Sequence, residues 1–287
     1  MKAILKLLKT IFVLIALVLC IKGYNLFTDG FRIDKIYPKF NEKIQAFPLD
    51  EIDEVFNQNY KYLSKGCQTY VFESEDGNYV IKFIRYHRYQ LPLWLQVINY
   101  NQSYKNKREF YKTKLLKDSL NSYQIANNHL KNETAAIYVH LEKTNFLNKK
   151  IQIADRLHRK YFIDLDNMGF VVQKKVCSFK NILNKYKKDE KELKILTRSF
   201  LYTTKDIYEK GFINDDYNCI KNSGFIDNKV IHSDLGSFLR KDKLNEKEIF
   251  EKEFMRYVRH FKKWAETNAP FLITYVDEEI KKMSDDL

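Results

Sequence analysis

The chain has few of the residues that break or staple a polypeptide. Among 287 residues there are 8 glycines, 4 prolines and 4 cysteines. With so little glycine and proline, nothing in it resembles a low-complexity or disordered segment, and each one present marks a particular turn or stop. The cysteines, at 20, 67, 177 and 219, have no metal-ligand spacing. They are also too few for a disulfide framework in a chain of this length, which leaves free thiols. No internal repeat is visible, and no nucleic-acid-binding motif.

What is present points to a globular protein. A 45% hydrophobic content over this length can bury a real core in one two-lobed domain or two small ones. The net charge is +13, but the basic residues are spread among 37 acids, as in KYKKDEKELK at 185–194. That dispersion argues against nucleic acid as a partner and for a solvated basic surface with some attraction to anionic lipid.

The N-terminus, MKAILKLLKTIFVLIALVLCIKGYNLF, places Lys2, Lys6 and Lys9 ahead of an uninterrupted apolar run from Ile11 to Ile21. This is the layout of a signal peptide or signal anchor. The run is short for a bilayer and spans one only if Leu7, Leu8 and Tyr24 to Phe27 join it while Lys9 and Lys22 snorkel. No small-x-small cleavage site follows, and Leu19 precedes Cys20 where a lipoprotein signal needs a small residue. The expectation is an uncleaved single-pass anchor over residues 1–27, with a buried helix as the alternative. Lysines ahead of the run put the N-terminus inside and send the main domain across the membrane, away from cytoplasmic ATP, a conflict that a secreted or host-directed role would dissolve although no residue shows one. Free thiols point back to a reducing compartment.

After a linker at 28–56, the stretch YKYLSKGCQTYVFESEDGNYVIKFIRY at 60–86 reads as three strands with a tight turn at Asp76-Gly77. Further on, EKGFINDDYNCIKNSGFIDNKVIHSDLG at 209–236 reads as a helix stopping at Gly211, then a loop bearing Asp215, Asp216 and Asn222. An apolar Val230-Ile231 pair then runs into Asp234-Leu235-Gly236. Taken singly, these aspartates and asparagines are turn formers.

In this order, however, the residues resemble the protein-kinase-like superfamily. Leu63 matches its leading hydrophobic position, Gly66 the second glycine of the phosphate loop, Val71 the valine over the adenine and Lys82 the strand-three lysine. DLG resembles the family's D-F-G, with Asp234 as Mg2+ ligand. Asp216 and Asn222 resemble the catalytic aspartate and the metal-binding asparagine. The resemblance implies an α+β bilobal fold with a small antiparallel-sheet lobe at 57–178 and a reduced helical lobe at 179–287, binding ATP and Mg2+. It also implies an acidic residue on a helix to hold Lys82. In SYQIANNHLKNETAAIYVHLEKT, read as a helix over 122–144, Glu133 is the candidate and Glu142 the reserve.

The sequence also departs from the family. Ser64 and Thr69 replace two glycines, the H-R-D triplet is missing, the aspartate-to-asparagine interval is one residue longer, and there is no A-P-E. Asp215 and Asp216 both remain open as the base. Residues 86–121 form an insertion whose apolar cluster, Leu91 to Ile98, packs on the small lobe or meets a membrane or partner. The 53 residues after Asp234 read as a helix at about 245–266 and another past Pro270, too little for the elements that hold a peptide acceptor. The functional expectation is a membrane-anchored phosphotransferase with an unidentified hydroxyl acceptor. The alternatives are a pseudokinase that binds without turnover and a membrane-tethered structural protein.

Overall fold

In the computed structural model, residues 2–38, 53–97 and 101–287 are described, and they form a mixed α+β protein with an apolar N-terminal helix. The chain opens with α1 (Lys2–Thr28) and a short α2 (Asp53–Phe56), followed by β1 (Tyr60–Lys65), β2 (Thr69–Ser74) and β3 (Tyr79–Ile84). Next come α3 (Leu93–Val97), α4 (Gln102–His129), α5 (Lys131–Thr134), β4 (Ala136–His140), β5 (Lys150–Ala154), β6 (Lys160–Asp164), β7 (Phe170–Lys174) and β8 (Cys177–Ser178). The rest is α6 (Phe179–Lys185), α7 (Glu190–Glu209), β9 (Phe212–Asn214), β10 (Ser223–Ile226), β11 (Lys229–His232), β12 (Phe238–Arg240), α8 (Lys247–Asn268) and α9 (Phe271–Asp285). Two compact units result: residues 1–88 with 140–170, and residues 89–139 with 171–287.

In the first unit, α1 is continuous through Leu7, Leu8 and Tyr24 to Phe27. Its 27 residues extend for roughly 40 Å at 1.5 Å per residue. By length and composition it is the one helix among the described residues able to cross a membrane. It stops where Asp29 and Gly30 adopt φ of +52° and +68°. Phe31 then folds onto the sheet, its ring 5.1 Å from Tyr70, 5.3 Å from Phe72 and 5.9 Å from Tyr161. Phe31 and Ile36 are fully buried, so this part of the segment expected to be a linker is core. Residues 39–52 lie outside the described residues.

The unit's strands run in the order β3-β2-β1-β5-β6. β1, β2 and β3 are antiparallel neighbours, β1 pairs with β5 in parallel, and β5 pairs with β6 antiparallel. The β2–β3 turn forms because Asp76 accepts the Asn78 N–H at 2.9 Å and Gly77 supplies φ +75°.

The second unit differs from the sequence reading around α4. The latter part of what read as an insertion and the start of the helix expected over 122–144 form one helix, α4, started by the Asn101 side chain accepting the Tyr104 N–H and ended at His129. After the short α5, Ala135 turns the backbone at φ +54°, and the alternating β-formers Ile137, Tyr138 and Val139 continue as β4. The Asp189 side chain caps α7 by accepting the Glu192 N–H, with Glu190 and Glu192 in the first turn. Its buried face meets an aromatic core in which Phe200 lies 5.6 Å from Phe261 and 6.0 Å from Tyr257, while His232 stacks 5.4 Å from Tyr257. Each such ring contributes about 2–3 kcal/mol by burial. Ala269-Pro270 separates α8 from α9, and the Lys262–Asp277 pair at 2.7 Å bridges them.

Candidate functional site

In the first unit, Val71 and Lys82 are direct partners across β2 and β3, so they share a face of the sheet. Both are half-buried, while Tyr70, Phe72, Ile81 and Phe83, which alternate with them, are fully buried. Gly66 sits in the β1–β2 turn, its N–H bonded to the Thr69 carbonyl at 2.9 Å. The turn is held from outside: Arg85 donates to the Gly66 carbonyl at 2.7 Å and Arg88 to the Cys67 carbonyl at 2.6 Å. A Cβ at Gly66 would meet only Thr69, at an ordinary 3.6 Å, so the turn itself does not require glycine there.

The second unit brings Asp216, Asn222 and Asp234 onto two neighbouring loops. β9 pairs with β12, and β10 pairs with β11 through a turn at Asp227 and Asn228, both at positive φ. The pairing places the β9–β10 loop beside the β11–β12 loop. The Asn222 carbonyl accepts the N–H of Ser233 at 2.7 Å and of Asp234 at 3.2 Å, and the Asp215 N–H donates to the Ser237 carbonyl at 2.9 Å. Within the loops, the Asp216 carboxylate accepts the Asn218 N–H at 2.9 Å, and Asp234 accepts the Gly236 N–H at 3.1 Å. The Asn222 side-chain nitrogen is buried without a hydrogen-bond partner among the described residues.

Asp215 and Asp216 have different surroundings. Asp215 is exposed, accepts from Tyr217 Oη at 2.9 Å and pairs with Arg256 at 3.3 Å. Arg256 also contacts Tyr217 Oη and packs over its ring. Asp216 is half-buried: its N–H donates to the Asn214 side-chain oxygen at 3.0 Å, and among the described hydrogen bonds its carboxylate accepts only the Asn218 N–H. Within the β9–β10 loop, burial pushes the Cys219 thiol up to about 12. Burial raises Tyr257 well above its ordinary value, with the fields of Cys219, Tyr208, Asp216 and Asp234 acting in the same direction.

Glu133 lies in α5, almost fully buried, with its carboxylate 2.8 Å from Nζ of Lys210. Glu142 follows β4 and belongs to the first unit. Sequence reasoning missed Ser122 on α4. Its hydroxyl donates to the Leu235 carbonyl at 2.6 Å and accepts the Phe238 N–H at 2.5 Å, fixing the Asp-Leu-Gly turn. A helical serine carries no signal for such a role. The Arg256–Asp215–Tyr217 cluster was also missed, because its members are 39 and 41 residues apart.

The residues suit Mg2+ and a nucleotide phosphate better than a metal bound by protein alone. Among the described residues no three His, Cys, Asp or Glu side chains cluster as metal ligands. Mg2+ typically takes one or two carboxylates and leaves its other positions to phosphate and water. The Asp234 carboxylate and the Asn222 side-chain oxygen, on adjacent loops, are the groups here that could meet Mg2+ in that way, while the unpartnered Asn222 nitrogen can only donate, as it would to a phosphate oxygen.

No family model matches the chain, and no curated protein does. It is similar to solved structures of WbdD, one at TM-score 0.40 and 14% identity, covering 69% of this chain and 36% of that one. Another is WbdD with the kinase inhibitor LY294002, at TM-score 0.38 and 15% identity, covering 70% and 37%. A third, described as the bifunctional kinase-methyltransferase WbdD, has TM-score 0.38 and 15% identity and covers 67% and 34%. The chain thus spans about a third of the length of these proteins. At such values the likeness carries no argument about function.

Proposed function

We propose that the chain is a membrane-anchored, kinase-like phosphotransferase that moves the ATP γ-phosphoryl group to a hydroxyl acceptor. One observation carries this reading: the Asn222 carbonyl ties down the Asp234 N–H, so an asparagine and an aspartate from different loops sit together, with Asp216 earlier in the same loop as Asn222. Asn222 and Asp234 would hold Mg2+, which supplies charge neutralisation for the transferring phosphoryl group. Asp216 orients the acceptor hydroxyl and takes its proton. Lys82 contributes a cation for the phosphates, and Val71, its cross-strand partner, contributes apolar cover for the base on the same face. Gly66 leaves the turn without a side chain in the way of a phosphate. Helix α1 serves as the membrane anchor.

The experiment compares label transfer from γ-labelled ATP, autophosphorylation included, by wild type, Asp216→Asn and Asp215→Asn. General-base loss in Asp216→Asn lowers transfer by about 10²–10⁴-fold with nucleotide affinity retained. Asp215→Asn retains most activity, because Asp215 is already engaged by Tyr217 and Arg256. The reverse order would move the base to Asp215. Wild type that binds ATP and transfers nothing would favour the pseudokinase alternative.

A further inference from the structure

We infer that the β5–β6 hairpin is a second membrane contact, seated on anionic phospholipid headgroups beside the exit point of α1. The inference rests on reading α1 as a membrane anchor. Its tip, residues 155–159, grips the last turns of that helix. Arg159 donates to Tyr24 Oη at 2.7 Å and stacks over its ring, and Arg156 pairs with Asp29 at 3.2 Å, immediately after the helix ends. Tyr62 Oη and Lys65 Nζ also bind Asp29, at 3.0 Å and 2.9 Å. The helix is therefore clamped to the sheet, and the plane in which it leaves a bilayer fixes where the hairpin lies.

The chemistry around this clamp suits a headgroup layer. Leu26 and Phe27 on the final turn are 74% and 67% exposed, and Phe162 on the edge strand β6 is 75% exposed. At the tip, Leu157 is 46% exposed, with exposed His158 and Lys160 close by. The two acids in the cluster are occupied: Asp155 is bound by Arg159 at 2.7 Å and Asp29 by Arg156. Four cations, Lys65, Arg156, Arg159 and Lys160, therefore face two neutralised carboxylates. Apolar side chains rimmed by cations are what an anionic bilayer surface takes up, and each basic residue there gains about five-fold in partitioning. Because β1 and β5 are parallel, the hairpin tip and the Gly66 turn lie at the same edge of the sheet, so this contact turns the candidate phosphate loop towards the bilayer.

The test places a nitroxide at residue 157 (Leu157→Cys) in the full chain, with the exposed Cys20, Cys67 and Cys177 changed to serine, reconstituted in phosphatidylglycerol nanodiscs. Labels at Val18 (Val18→Cys) and Asn78 (Asn78→Cys) report the helix and the opposite, solvent-facing end of β2 and β3. The expected result is oxygen-accessible Val18, several-fold less access of a water-soluble nickel complex to 157 than to 78, and loss of that difference on Lys160→Glu. Equal nickel access at 157 and 78, with 18 in the hydrocarbon, overturns the hairpin contact and leaves the anchor standing. A water-exposed label at 18 overturns the anchor itself, and with it this inference.

Discussion

The Glu133 carboxylate lies 2.8 Å from Nζ of Lys210, just past the end of α7, and the two partners are unequally buried: 5% of the Glu133 side chain is exposed against 39% for Lys210. An ammonium left alone there can reach water, whereas a carboxylate left alone cannot. Lys210→Met is therefore expected to cost about 2–3 kcal/mol and Glu133→Gln about 1 kcal/mol. Urea unfolding midpoints of the two variants check the order. Equal costs would mean that the pair does not govern this corner.

His232 gives stability a pH dependence. It is fully buried, hydrogen-bonded with Tyr257 and Thr204, and burial lowers its pKa to about 3. The unfolded chain binds this proton near pH 6.5 and the folded one does not, so stability is complete above about pH 6.5 and falls as pH drops towards 3. The loss is on the order of 3 kcal/mol by pH 4. Burial also lowers His87 and His140, so the comparison is one of slopes. In His232→Phe, which keeps a ring in the stack, the dependence of melting temperature on pH between 6.5 and 4 is expected to flatten by one proton's worth. An unchanged slope would contradict the assignment.

Gly224 follows Asn222 by two residues on β10, where a Cβ would come within 2.2 Å of Val176 Cγ2 and 2.7 Å of its Cβ. Gly224→Ala is expected to destabilise by about 1–3 kcal/mol through overpacking. Val176→Ala in the same chain removes the obstructing methyl and is expected to recover part of the loss. A calorimetric scan of the three variants decides the matter, and a neutral Gly224→Ala would show that the strand shifts freely.

The strands at 60–86 were legible because alternation, the Asp-Gly turn and β-branched residues all agree, and α7 because its cap and apolar period coincide. The apolar run of α1 was legible, and so was its extent, since the helix Lys2–Thr28 follows the segment expected over residues 1–27. The region 102–140 was misread because helix-tolerant Ala135 and Ala136 form the turn into the strand and its first residue, and the break at Leu130 has no glycine or proline to announce it. At the site, the order Asp216, Asn222, Asp234 was visible, and so was their position near turns. The bond from the Asp234 N–H to the Asn222 carbonyl, the clamp on Asp215 and the Ser122 tie were not, because each joins residues far apart in sequence through groups that any loop or helix possesses.

The most direct measurement is the melting temperature of the folded full chain with and without millimolar ATP and Mg2+, for wild type and Asp234→Asn. A ligand at 100 times its dissociation constant stabilises the folded state by about 2.7 kcal/mol, a rise of several degrees for a chain of this size. The account predicts that rise in wild type with both ATP and Mg2+, and loss of its Mg2+-dependent part in Asp234→Asn at unchanged unliganded stability. No shift in a demonstrably folded wild type, or an Asp234→Asn variant that loses stability while binding as before, would contradict it.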